Sequence, residues 1–451
     1  MYALGVWWNN FEYRLDIFAR LPWLRALFLS RWFHLGVRLF GDAAFTLIIL
    51  LGLFGPQDPD CNVTLFLAWG LWWPSVVLSL FFLGRMWCGF CPFPGMGRIA
   101  RRLGLSLKLA VPGWLRRNGV WLSVSGLFVI LWLEGAAGIT HSPRGTALLM
   151  LAILAGATLS GLLFDKKAWC MHLCPMGRII GPSATISMTE FRSDPELCRE
   201  CRTFECKRGR EGREGCPVNL GAFNIRTSLG CHVCGHCMTL CPKGSPTLRF
   251  RSPFAELVRN KGKNLACSWV VPVLAGSQLV RFLDETLHPF QGMAPGSPVY
   301  LALYAALLAV AVLYVSGMIL LGDLAFGVRK DAILGRLSPM VPVLLPLVLT
   351  GELVYRLRHF LGMAPRAWSG LACQLGGTAR PWDWSAIQAA FPWIEGVLLL
   401  LGFMAGNYVL HRLATDEFPD LVGPTRKRVL LALNSAVLAS YAAVIHWGLL
   451  V

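Results

Sequence analysis

Fifteen cysteines stand in this chain, and most of them fall into sets whose spacing suits soft-metal chemistry. The tightest set is Cys231, Cys234, Cys237 and Cys241, a C-x2-C-x2-C-x3-C run closed by Pro242. Thiolates at that spacing hold iron–sulfur clusters, and in two-cluster arrangements the fourth cysteine of a motif crosses to the other cluster. Cys198, Cys201, Cys206 and Cys216, with Pro217 behind them, repeat the pattern with longer gaps. The crossing rule assigns Cys198, Cys201, Cys206 and Cys241 to one [4Fe–4S] cluster. It assigns Cys231, Cys234, Cys237 and Cys216 to a second. Paired C-x2-C motifs also suit zinc. The insert 207–215 reads as a loop that docks an acidic partner or as solvated filler.

A further set is duplicated. Residues 87–100 read WCGFCPFPGMGRIA and residues 169–180 read WCMHLCPMGRII, each giving Trp-Cys, a short gap, Cys-Pro and Met-Gly-Arg-Ile. Such internal repetition marks two copies of one structural unit, and its symmetry brings Cys88, Cys91, Cys170 and Cys174 together. Four convergent thiolates suit another cluster, zinc or copper(I). The plain alternative is that small, soft cysteines and a breaker proline end two packed helices. Cys61, Cys267 and Cys373 have no partner by spacing and read as ordinary apolar residues.

The elements that carry these sets are membrane helices. Apolar residues make up 55% of the chain against 15% charged, and mean hydropathy is +0.54, which places it in the membrane class. A formal charge of +17 is not read as nucleic-acid binding, because no basic groove module is present. About nine stretches reach the roughly 20 apolar residues a span requires: 34–55, 63–84, 119–140, 146–164, 265–283, 298–321, 338–357, 387–409 and 428–450. Arg85, Arg98, Arg101, Arg102, Lys108, Arg116 and Arg117 follow the second span. Lys166, Lys167 and Arg178 follow the fourth, Arg329 and Lys330 the sixth, and Arg426, Lys427 and Arg428 the eighth. Loops 55–62 and 284–297 carry no lysine or arginine, whereas 359–386 carries Arg366 and Arg380. By the positive-inside rule the N-terminus and the cysteine-rich insert face the cytoplasm and Val451 lies outside. The first residues lack signal-peptide character; arginines among aromatic and leucine residues suit an interfacial helix.

The expected organisation is predominantly α: a polytopic helical membrane protein with an inserted cytoplasmic two-cluster domain. Its parts are an interfacial N-terminal helix (1–33), a four-helix unit with duplicated Cys-Pro hairpins (34–188), the cluster domain (189–255) and a five-helix extension (256–451). A weaker repeat pairs Val271-Pro272-Val273 with Val341-Pro342-Val343, and the GMAP tetrad at 292–295 with that at 362–365. It suggests that spans five to eight are a second duplicated pair of hairpins.

Ionisable groups inside spans are costly and mark function by default. Asp42, Glu134, Glu352 and Glu395 are the carboxylates concerned. Glu352 and Glu395 are placed to take the protons that quinol oxidation releases, the alternative being ion pairs with Arg281 or Arg356. Among His34, His288, His359, His411 and His446, the repeat-related His288 and His359 form the best candidate pair for haem b. Interfacial polar caps are the preferred reading of these histidines. Trp72, Trp73, Trp121 and Trp132 read as interface belts.

Cys88, Cys91, Pro92, Cys170, Cys174, Pro175 and the eight later cysteines together resemble the NapH/NosR/CcoG family of membrane polyferredoxins. The resemblance covers roughly residues 34–245; the family usually spaces the first Cys-Pro motif by three residues, where this chain has two. It implies a ferredoxin-like cluster domain in the bacterial cytoplasmic membrane. It also implies an oxidoreductase subunit linking quinone to a redox partner protein or membrane-complex subunit, or a copper-reducing role in oxidase assembly. A redox-sensing scaffold is the third alternative.

Overall fold

The computed structural model describes residues 14–210, 212–260, 265–287, 290, 292–328, 338–420 and 422–446. It is dominated by long helices, and eight of them are long and apolar enough to cross a membrane among the described residues. These are Arg31–Phe54, Phe66–Leu83, Gly113–Ala136, Pro143–Leu163, Pro298–Ala325, Met340–Gln374, Ser385–Glu417 and Pro424–Ile445. The expected fifth span is the helix Leu265–Leu287, 23 residues long, whose second half carries Arg281, Asp284 and Glu285. The chain is a polytopic helical membrane protein. His288, residues 261–264, Arg329, Lys330 and Val451 lie outside the described residues, as do the first 13 residues and the side chains of Cys267 and His446.

Two compact units emerge. The first takes the residues up to Leu47 together with Ser79–Ser123 and Met150–Glu256; the second takes Ile48–Leu78, Val124–Leu149 and the chain from Leu257 onward.

In the first unit lie β1 (Arg14–Asp16), β2 (Thr189–Arg192), β3 (Gly209–Arg210), β4 (Arg213–Glu214) and β5 (Thr247–Arg251). The antiparallel sheet runs β1-β5-β2, with Leu15 opposite Phe250 and Phe191 opposite Leu248. The described part of 1–33 is therefore not one helix. Asp16 ends the strand and caps a short helix by accepting from the Phe18 and Ala19 amides, as N-cap carboxylates do. Pro22 then starts a second helix at its first position. Phe18 and Phe28 from these helices pack with Phe191, Cys206, Cys231, Cys237 and Leu248 in one buried cluster. Burial of this apolar surface contributes roughly 1.5–3 kcal/mol per large side chain. The N-terminal segment thereby becomes part of the wall around the cysteines.

The second unit is built around Met340–Gln374, whose residues 340–356 are all buried. This helix was expected to stop near 357 but continues to Gln374, with residues 362–365 inside it. The related tetrad 292–295 lies in a turn region, where Gly292 has φ 86°. The weaker repeat therefore does not extend to local structure. Cys61 and Cys373 are not ordinary apolar residues. They form a disulfide across 312 residues of sequence, with Cα atoms 5.2 Å apart. Spacing rules could not find it, because the two cysteines are united only by the packing of Met340–Gln374 against the Pro59–Cys61 turn.

Four charged side chains close on one another inside this unit. Glu134, Arg281, Glu352 and Arg356 are each at most 3% exposed. Arg281 donates to Glu352 at 2.8 Å and to Glu134 at 3.3 Å. Arg356 donates to Glu352 at 2.7 Å and to Glu134 at 3.1 Å. Gln278 adds a bond to Glu352 at 3.0 Å, and the Tyr355 ring lies 4.0 Å from the Arg281 guanidinium. Two acids and two bases leave no net charge, which is how a low-dielectric interior tolerates ions.

Candidate metal centre

The duplicated Cys-Pro motifs give two related but unequal local structures in the first unit. Met86–Phe90 forms a short helix, after which Cys91 is extended and Pro92 turns the chain. In the second copy a π-helical turn, Trp169–Leu173, leads to Cys174, the N-cap of Pro175–Ser183. The Cys174 sulfur accepts from the Gly177 amide at 3.3 Å, and Pro175 occupies the first helical position, where its missing N–H costs nothing. Each motif thus delivers one cysteine from a helical turn and one from its extended exit.

These four thiols come together. Burial pushes the Cys91 thiol well above its usual range, with Cys170, Cys88 and Cys174 adding to the effect. Burial likewise lifts Cys174 to about 12, reinforced by Cys170 and Cys88. Cys170 is raised by burial while Lys167 opposes the shift. Such thiols stay protonated at neutral pH unless a metal or cluster takes the sulfur.

Two buried cations face this set. Arg85 is 7% exposed and Lys167 is 4% exposed. Arg85 hydrogen-bonds the Cys88 sulfur, lies within electrostatic reach of Cys170 and Cys174, and donates to the Leu229 carbonyl. Its Nε is buried with no hydrogen-bond partner. Lys167 donates to the Cys88 carbonyl at 3.3 Å. No carboxylate lies within ion-pair distance of either among the described residues. Unpaired buried cations are costly, and the donor set fits an anionic thiolate-bound cluster.

The eight later cysteines also lie near one another, with Cys206, Cys231 and Cys237 in one buried cluster. Cys237 is raised well above the usual thiol range by burial, with Cys234, Cys231, Cys216 and Cys206 adding to the effect. Burial takes Cys231 to about 12 and raises Cys234. Cys216, Cys231, Cys234 and Cys237 also border one apolar cavity. Cys206, raised by burial, has Cys241 and Cys198 beside it. Cys201 differs, because the Phe204 amide and the Thr203 hydroxyl lower its thiol. The inner group, which borders that cavity, approaches the membrane motifs closely. Gly89, next to Cys88, packs so tightly that a Cβ would fall 3.1 Å from the Cys234 Cα and 2.8 Å from the His232 carbonyl; glycine is needed for that approach. The Lys167 amide bonds the Pro217 carbonyl, beside Cys216, at 3.0 Å. Among the described residues no three His, Cys, Asp or Glu side chains close around a single ion; a cubane cluster holds its thiolates further apart than one ion does.

The remaining candidates lie in the second unit. Glu352 belongs to the closed ion quartet, the arrangement given above as its alternative. Glu395 pairs with Arg358, which also reaches Glu285 at 3.2 Å. Arg358, His359, Glu285, His141, Thr140 and Asp60 line a cavity of about 420 Å³. His359 packs on Tyr355 with ring centroids 4.6 Å apart, and its proposed haem partner His288 is outside the described residues. In the first unit His34 bonds the Phe28 carbonyl at 2.7 Å. His411 meets Lys427 at 3.1 Å in the second. Asp42 lies beside Arg98. Sequence reasoning missed Arg85, Lys167 and Gly89 as parts of the site; the only signal was their position within or beside the Cys-Pro repeats.

Fold and cysteine sets describe a helical membrane protein whose thiols suit iron–sulfur binding. The model of a 4Fe-4S binding domain matches residues 65–117 and 146–182, the two hairpins that carry Cys88, Cys91, Cys170 and Cys174. Protein NirI of Paracoccus denitrificans (strain Pd 1222) is 30% identical over 207 residues, covering 40% of this chain and 28% of NirI. The putative electron transport protein YccM of Escherichia coli (strain K12) is 28% identical over 228 residues, 44% of this chain and 59% of YccM. The ferredoxin-type protein NapH of Haemophilus influenzae (strain ATCC 51907 / DSM 11121 / KW20 / Rd) is 26% identical over 188 residues, 37% of this chain and 64% of NapH. The chain therefore spans less than two thirds of each of these relatives. No solved structure matches it. Over these stretches the chain is similar to ferredoxin-type membrane proteins such as NapH.

Proposed function

We propose that the protein passes electrons through three thiolate-bound [4Fe–4S] clusters, at Cys88/Cys91/Cys170/Cys174, at Cys216/Cys231/Cys234/Cys237 and at Cys198/Cys201/Cys206/Cys241. When bound, each such cluster takes up or releases one electron. The observation that carries this reading is the convergence of four half-buried membrane-motif thiols on two buried cations that have no carboxylate within ion-pair distance among the described residues. Gly89 against Cys234 supports an order in which the membrane set neighbours the inner set. The partly exposed Cys201 supports an outlet to a redox partner at the third.

The electron source we propose is membrane quinol, which gives up two electrons and two protons. The 420 Å³ cavity suits its head group, with His359 and His141 as candidate proton acceptors and Glu395 placed behind Arg358. Glu352, held by two guanidiniums, is assigned a structural role instead. The ferredoxin-like region is placed on the cytoplasmic side of a bacterial inner membrane by the lysine and arginine bias. A disulfide from Cys61, in a turn free of those residues, to Cys373, at the end of Met340–Gln374, suits the oxidising side. Copper reduction at the membrane thiols is the competing role.

Iron analysis and low-temperature EPR on the purified protein test this. About twelve irons per chain are expected, falling to about eight in Cys170→Ser. A quinol analogue should reduce the clusters, read as the appearance of the reduced-cluster EPR signals, in the wild type and not in Glu395→Gln. Eight irons in both proteins would remove the membrane-motif cluster, and copper(II) reduction lost in Cys170→Ser would favour the competing role.

A further inference from the structure

Arg85 and Lys167 do not serve the membrane thiols alone. Arg85 hydrogen-bonds Cys88 and lies near Cys170 and Cys174. Its other contact is the carbonyl of Leu229, two residues before Cys231. Lys167 acts electrostatically on Cys170 in the membrane set and on Cys234 in the inner set. Its ammonium bonds the Cys88 carbonyl while its amide bonds Pro217, the neighbour of Cys216. The two side chains therefore stand in the partition between the two thiol sets, where Gly89 brings the backbones into contact. Carbonyl oxygens supply only partial charge, and the orphaned Arg85 Nε shows that even hydrogen bonding is incomplete.

We infer that Arg85 and Lys167 form a shared cationic partition that raises, together, the reduction potentials of the clusters held on its two sides. The inference rests on the three-cluster reading above. Each reduction adds one negative charge to a thiolate-bound cluster, and a fixed buried cation stabilises that added charge far more than a solvated one does. Because one pair of cations serves both sets, neither potential is set independently. The partition keeps neighbouring steps of the relay close in energy, so that an electron is not trapped at one of them. Lys167 is a positioning residue in this scheme: it touches the ligands' backbone and their field, not the reacting atoms.

EPR-monitored redox titration of the intact, iron-loaded protein tests the inference. Signals are assigned beforehand with Cys170→Ser for the membrane set and Cys234→Ser for the inner set. In Lys167→Met both midpoints should shift to lower potential. At the wild-type midpoint the reduced-to-oxidised ratio of each should fall about tenfold or more, the scale of one buried unit charge. Lys167→Arg should retain both potentials, and Lys243→Gln, beside Cys201, should leave both unchanged. A shift at one set only, or at neither, overturns the shared partition. If Lys167→Met fails to load iron, Lys167→Gln is titrated in its place against the same two outcomes. Failure of the three-cluster reading is separately visible, as a wild-type iron content of about eight and no signal removed by Cys170→Ser.

Discussion

Two regions of this molecule bury a pair of cations, and they do so in opposite ways. In the second unit, Arg281 and Arg356 each touch both Glu134 and Glu352, so every charge has two opposite neighbours. In the first, Arg85 and Lys167 meet carbonyls and thiols and have no carboxylate partner among the described residues. Both pairs are excluded from water to a similar degree. The first arrangement is complete in the polypeptide and holds helices in register. The second is complete only when something negative is added. Burial alone therefore does not distinguish a structural charge from a functional one; the local charge sum does.

The largest effect expected from this contrast is in the closed quartet. Arg356→Ala leaves Glu134 and Glu352 under-compensated and should cost about 3–5 kcal/mol, whether or not iron is bound. Denaturant unfolding of the detergent-solubilised protein, with and without prior iron chelation, measures it. The open pair should behave differently. In iron-free protein Lys167→Met removes an unpaired buried charge and should stabilise by about 1–4 kcal/mol. In iron-loaded protein the sign should reverse. Equal effects in the two states would erase the distinction between the regions.

A smaller, pH-dependent effect sharpens the comparison within the first unit, where one carboxylate is fully paired. Burial would raise the Glu256 carboxyl, but Arg251, Arg192 and the Thr227 hydroxyl outweigh it and hold it below its usual value. A carboxyl lowered on folding stabilises the protein above its unfolded pKa, about 4.3, and that contribution disappears as pH falls through the folded value. Wild type should therefore exceed Glu256→Gln in stability at pH 7, with the gap closing below about pH 4.3. Thermal unfolding at stepped pH is the measurement, and a gap that widens on acidification would contradict it.

Much of this was legible in the amino-acid order. Four-cysteine spacing and the Trp-Cys…Cys-Pro repeat pointed to 4Fe-4S chemistry, and the matched 4Fe-4S binding domain covers the two Cys-Pro hairpins. Spans were visible because lipid demands a length. Arg85 and Lys167 were counted as loop charges that orient the protein, yet both are buried. A one-dimensional bias cannot separate a cation facing headgroups from one folded back under the next loop. Arg14–Asp16 gave no strand signal at three residues; its pairing is supplied by Thr247–Arg251, far along the chain. The Cys61–Cys373 bond was hidden for the same reason, and although ion pairs of Glu352 with Arg281 or Arg356 were foreseen, the part of Glu134 in them was not, since tertiary packing alone makes these elements neighbours.

That disulfide also imposes an order on biogenesis. The covalent ring it closes contains every cysteine from Cys88 to Cys241. Synthesis reaches those thiols more than a hundred residues before it reaches Cys373. For that interval these cysteines belong to an open chain and not to a closed covalent ring. Oxidation at Cys61 and Cys373 can only follow, so ring closure serves as a late seal on a chain whose ligand segments are already made.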